Sequence, residues 1–65
     1  MTIIRCWTGD IWTADDHMQA KAMILDAADL YVEDETDVIK WYCGDTRAII
    51  WSEGESTGYW WEIER

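Results

Sequence analysis

The side chains of this 65-residue chain that can do chemistry are two cysteines, Cys6 and Cys43, one histidine, His17, and fourteen carboxylates. A metal centre asks for three or four clustered ligands, and the thiols and the imidazole show neither CxxC nor HxxxH spacing, so neither metal nor cofactor is expected. A nucleophilic site asks for a Ser or Cys beside a positioned base. The one pairing on offer, Cys6 or Cys43 with His17, has no support in the spacing. His17 follows Asp15 and Asp16 and reads as a surface histidine in the first turn of a helix. Gly9, Gly44, Gly54 and Gly58 stand in separate turns, so no phosphate-cradling loop is expected either. Carboxylate pairs are abundant, but among fourteen acids any pair looks suggestive. The expectation is a protein with no catalytic residues.

Charge says more. Fourteen acids against five bases leave a formal net charge of −9, which self-repels and serves either solubility or attraction to a basic surface. Direct binding to nucleic acid or an anionic membrane is disfavoured, because phosphate contacts need Lys and Arg. No run approaches the 18 or so apolar residues of a membrane span. The chain is 49% hydrophobic, which excludes a disordered acidic tail. Met1 to Trp7 reads as a strand rather than a targeting segment, so the thiols are expected to be free and the chain cytoplasmic.

The elements that must carry this surface centre on Val38 to Ile63. Val38–Cys43, Arg47–Ser52 and Tyr59–Ile63 are β-branched and aromatic runs bounded by Gly, Asp and Ser, the pattern of an antiparallel meander. With loops at Gly44–Thr46 and Glu55–Thr57, Ile39, Trp41, Cys43, Ile49, Trp51, Tyr59, Trp61 and Ile63 share an inner face. Val38, Lys40, Tyr42, Ala48, Ile50, Ser52, Trp60, Glu62 and Glu64 then share the outer one. A one-residue slip in either loop would reassign the last strand.

Upstream, Thr2 to Trp7 alternates as a half-buried strand, Gly9-Asp10 is a turn, and Ile11-Trp12 reads as an apolar plug leading into a helix. Thr13 reads as its cap, and Ala14 to Tyr31, rich in Ala, Met and Leu without Gly or Pro, as the helix itself. Met18, Ala22, Leu25 and Ala28 fall on one side, with Ile24, Ala27 and Tyr31 alongside. Asp15, Gln19, Asp26, Asp29 and Glu33 lie opposite. The prediction is one domain, residues 1–65, of α+β class: one helix packed on an antiparallel sheet in the order β-α-β-β-β. At this size a single core is marginal. Six Trp, each able to bury about 150–250 Å², are a partial remedy.

What remains is surface. Asp26, Asp29, Glu33, Asp34, Glu35, Asp37, Asp45, Glu53, Glu55, Glu62 and Glu64, with Trp60 among them, are the candidate partner-binding residues. Carboxylates raise the on-rate toward a basic groove, and an aromatic supplies desolvated contact. Spaced carboxylates also copy the charge density of DNA, one negative charge per about 1.7 Å of axis. In size, charge and tryptophan content the chain resembles the small acidic phage-encoded anti-CRISPR proteins, some of which mimic DNA; the resemblance is of type and rests on no motif. It implies a non-enzymatic inhibitor in the cytoplasm of a bacterial host, bound to a basic DNA-binding protein or a CRISPR effector complex and blocking its access to target DNA. The alternative is a small structural or regulatory interaction module, a phage accessory or antitoxin-like protein, monomeric or homodimeric, using Tyr42, Ile50 and Trp60 as an apolar contact.

Overall fold

The computed structural model describes residues 1–64. It has the expected α+β class, one helix packed on an antiparallel sheet. In chain order the strands are β1 (Thr2–Cys6), β2 (Ile11–Ala14), β3 (Val38–Tyr42), β4 (Arg47–Ser52) and β5 (Glu55–Glu64), with the helix α1 (His17–Asp29) between β2 and β3. They lie side by side as β2-β1-β5-β4-β3. The segment Ile11-Trp12, expected as a plug, is strand: β2 folds back on β1, pairing Ile4 with Trp12. The N-terminal strand of the expected order is thus a hairpin, and β5 closes the sheet between β1 and β4.

The helix starts later than expected because its cap is Asp16, not Thr13. Asp16 is extended, and its carboxylate accepts from the Gln19 backbone N–H at 2.8 Å. The Gln19 side-chain oxygen accepts in return from the Asp15 N–H. This is the reciprocal logic of a capping box, which needs an acceptor followed three residues later by Gln or Glu; Asp16-x-x-Gln19 supplies it and Thr13-x-x-Asp16 does not. The buried stripe is Ala20, Ile24 and Ala28, at the i, i+4, i+8 spacing of one helix face. Met18 is 81% exposed, and Ala22 and Leu25 also face out, contrary to the expected face. Small residues at the contact let the helix lie close on the sheet.

The sheet corrects one strand. Tyr42 pairs with Arg47, so the β3–β4 turn holds four residues, Cys43 to Thr46, instead of three. That one-residue change flips β4: Ala48 and Ile50 are fully buried, while Ile49 and Trp51 lie on the outer face. Cys43, expected inside, is exposed in the turn. The second turn is also displaced. Ser52 pairs with Glu55 around Glu53-Gly54, both with positive φ (52° and 81°), the signature of a type I′ hairpin turn. Glu55 to Thr57, expected as a loop, begin β5.

The core face is therefore Ile4, Cys6, Ala48, Ile50, Trp61 and Ile63 beneath Ala20, Ile24 and Ala28. Trp61, 1% exposed, is its largest fully buried side chain. An aromatic group closes one end: Tyr31 and Tyr59 lie 4.8 Å apart, and Trp7 meets both. Cys6 on β1 and the turn after β3 are three strand spacings apart, about 14 Å, beyond the reach of a disulfide. Both cysteines are free.

Candidate functional site

The residues nominated as partner-binding divide into three groups. The first lies at one end of the sheet. Val38 pairs with Trp51, which sets Asp37 beside Ser52 and brings the loop after the helix against the β4–β5 turn. Glu33, Asp34 and Glu35 from the loop and Glu53 and Glu55 from the turn thereby share one end of the molecule, all exposed. None has an ion-pair partner among the described residues. Asp26 and Asp29 extend the unpaired charge along the exposed side of α1.

Asp37 sits inside this end rather than on it. Its Oδ2 accepts from the backbone N–H of Glu33 at 3.0 Å and of Asp34 at 3.3 Å. The neighbouring Ser52 side chain and these two amides hold its carboxyl below the ordinary aspartate range, the amides by donating to the charged form; its Oδ1 has no hydrogen-bond partner among the described residues. Asp37 organises the acidic loop; it is half-buried and does not present its charge as its neighbours do.

The second group is paired. Across the outer face, β1, β5 and β4 place Arg5, Glu62 and Arg47 directly opposite one another. Arg47 Nη2 donates to Glu62 Oε2 at 2.7 Å, and Arg5 Nε to Glu64 Oε1 at 2.6 Å. Both guanidinium pKa values are raised, first by these hydrogen bonds and then by the carboxylate charge. The result is an alternating row, Glu64, Arg5, Glu62, Arg47, whose carboxylates are answered within the protein. Asp45, in the β3–β4 turn, is paired too: Lys21 Nζ donates to its Oδ2 at 2.9 Å and lies 4.9 Å above the Trp41 ring.

The third group is aromatic. Trp60, 36% exposed, lies on the outer face opposite Ile49. With Ile49, Arg47, Ser56 and Gly58 it lines an open groove of about 200 Å³. A break in the β4–β5 pairing makes the groove: one residue of β4, Ile50, faces three of β5, Thr57 to Tyr59. Two extra residues preserve the alternation, so Trp60 still points out and Trp61 in. Gly58 takes φ 86° there, and Thr57 Oγ1 donates to the Ile50 carbonyl at 2.8 Å in place of the lost ladder bond. Lys40 Nζ lies 4.7 Å above the Trp51 ring on the same face.

The membership of this face differs from the expected one. Ile49 and Trp51 belong to it and Ile50 does not, so the expected apolar contact of Tyr42, Ile50 and Trp60 becomes Tyr42, Ile49 and Trp60. The Glu53-Gly54 pair was the available signal for the second turn; the irregularity at Gly58 leaves a lone glycine in a strand as its trace.

His17 is the first residue of α1, half-buried, with a buried Nδ1 that has no hydrogen-bond partner. Among the described residues no three of His, Cys, Asp and Glu converge as a metal site. No helix described is long and apolar enough to cross a membrane. In comparisons with family models, curated proteins and solved structures, the chain matches none.

Proposed function

We propose that this protein acts by binding: its acidic end docks on the basic, nucleic-acid-binding surface of another protein and denies that surface to DNA. The observation that carries this reading is the segregation of charge. Glu33, Asp34 and Glu35 stand beside Glu53 and Glu55 with no ion-pair partner among the described residues. The acids of the outer sheet face, by contrast, are held by Arg5 and Arg47. Unpaired carboxylates keep their full attraction for a cationic groove, whereas a carboxylate already in an ion pair must lose one partner to gain another. The binding surface is accordingly narrower than the acid content of the chain, and Glu62, Glu64 and Asp45 are secondary to it. A CRISPR effector complex in a bacterial host is the target that the resemblance of size and charge implies.

The test compares the wild type with a variant carrying Glu33→Gln, Asp34→Asn and Glu35→Gln, leaving Asp37 to hold the loop. The variant should fold and should lose both partner binding and inhibition of DNA binding. A folded variant that inhibits as well as wild type contradicts the proposal.

One observation favours a second reading, an interaction module that uses the outer sheet face. Trp60, exposed there, lines the 200 Å³ groove, and Val38 is exposed on the same face. Ionic strength separates the two readings. Electrostatic docking weakens as salt shortens the screening length from about 30 Å at 0.01 M to about 8 Å at 0.15 M, while an apolar contact holds.

A further inference from the structure

We propose that the pocket between the β1–β2 hairpin and the C-terminal end of α1 is a cage for an organic cation, the head group of a quaternary or alkylated ammonium compound. The pocket holds about 140 Å³, and its walls include Trp7, Trp12, Tyr31 and Trp61, with Asp10 and Leu30 at its lining. Trp7 and Tyr31 stand nearly perpendicular, their planes at 81° and their centroids 5.6 Å apart. Trp61 lies 6.0 Å from Tyr31 with a plane tilted 54°. These contacts are edge-to-face and tilted core packing, and Trp61, 1% exposed, is the floor of the pocket. The half-buried Trp7, Trp12 and Tyr31 supply its accessible ring surface, and a cation over such a face is attracted by the ring quadrupole.

Charge selects among occupants. Asp10 Oδ2 accepts from the Thr8 hydroxyl at 3.0 Å, and no cation among the described residues forms an ion pair with it. Its field reaches the pocket: the buried Cys6 thiol, part of the lining, has its pKa raised first by burial and then by the Asp10 charge. An anion is repelled. A metal ion finds too few ligands in a wall of indoles. Pockets for drug-sized ligands run from about 300 Å³ upward, so this one admits a head group and leaves any chain outside. A quaternary ammonium joins an apolar exterior to a positive charge, which is what aromatic walls with one carboxylate complement. The net charge of −9 raises the local concentration of such cations.

The test is a titration of the folded, ¹⁵N-labelled protein with choline, following the indole N–H resonances of Trp7, Trp12 and Trp61. Its controls are sodium chloride at matched ionic strength and the neutral isostere of choline in which carbon replaces the quaternary nitrogen. Choline should give saturable shifts at these three indoles, and the isostere should bind at least about tenfold more weakly. Trp12→Ala should weaken choline by roughly 2- to 30-fold, the range of one cation–π contact. Asp10→Asn, which keeps the volume and the Thr8 hydrogen bond, should weaken it while leaving the isostere unchanged. It also keeps the question decidable if Trp12→Ala fails to fold. Equal binding of choline and isostere, the absence of saturable shifts, or an Asp10→Asn protein that binds choline as wild type would each overturn the assignment.

Discussion

Ile49 and Ile50 are identical neighbours with opposite surroundings. Ile50 is 0% exposed in the core beneath the helix, and Ile49 lies in the outer groove with Trp60. Removing buried aliphatic atoms forfeits their transfer energy and leaves a cavity, so Ile50→Ala should cost about 2–5 kcal/mol, while Ile49→Ala should cost clearly less. Urea unfolding of the two variants measures the difference, and equal costs would mean that β4 has its faces exchanged. Asp37 gives the residue scale a pH signature. A carboxyl held below its unfolded value contributes stability that is complete above the ordinary aspartate value of about 3.9 and is lost as pH falls through the folded value. The Glu33 and Asp34 amides that donate to it should therefore lose hydrogen-exchange protection only in acid below that range. Asp37→Ala should abolish this step and lower thermal stability. An Asp37 carboxyl that titrates by NMR at or above the ordinary value would contradict this account.

At the scale of elements, the parts of the fold that were legible in the sequence are those with a local chemical cause. Strands β1, β3 and β4 and the Tyr59–Ile63 part of β5 announce themselves by β-branched and aromatic runs, and the α1 interior by Ala, Leu and Met without Gly or Pro; the short β2, expected as a plug, does not. What stayed hidden depends on counting residues in turns. Four residues after Tyr42 instead of three turn Ile49 and Trp51 outward, and nothing in Cys43-Gly44-Asp45-Thr46 reveals that number, since the turn begins with Cys43 at positive φ (55°), which a cysteine seldom adopts. The acidic end was half legible. The run Glu33 to Asp37 is visible as a run, but its meeting with Glu53 and Glu55 follows from pairing across β3, β4 and β5. The capping assignment is testable here: Asp16→Ala should destabilise the protein by about 0.5–2 kcal/mol, and Thr13→Ala, in β2, should leave helix content unchanged by circular dichroism. In the Glu53-Gly54 turn, Asn accepts positive φ more readily than Glu. Glu53→Asn should thus raise the unfolding midpoint; a lowered midpoint would argue against the type I′ assignment.

At the scale of the whole molecule, the charges are sorted by face. Arg5, Lys40 and Arg47 stand on the outer sheet face, each engaged with a carboxylate or an indole. Most of the acids without an ion pair among the described residues gather on the exposed side of α1 and at the end formed by the two acidic turns, with Asp10, Asp15 and Asp16 apart from them. Such sorting gives a strongly negative protein one face able to approach a basic surface and another on which approach meets compensated charge. It also predicts how salt acts on the fold: screening should relieve repulsion among Glu33, Asp34, Glu35, Glu53 and Glu55 and raise the unfolding midpoint, while weakening the complex with a basic partner. A single molecule should thus become more stable and less adhesive over the same rise in ionic strength. The measurement that tests the central claim most directly is capture of partner proteins on the immobilised chain, with washes at low and moderate salt and elution by a duplex DNA competitor. The account predicts a DNA-binding protein that is released by salt and by the duplex, and that is not retained by the Glu33→Gln, Asp34→Asn, Glu35→Gln variant. A partner that survives moderate salt, ignores the duplex and binds the variant equally well would contradict it and point to the outer sheet face instead.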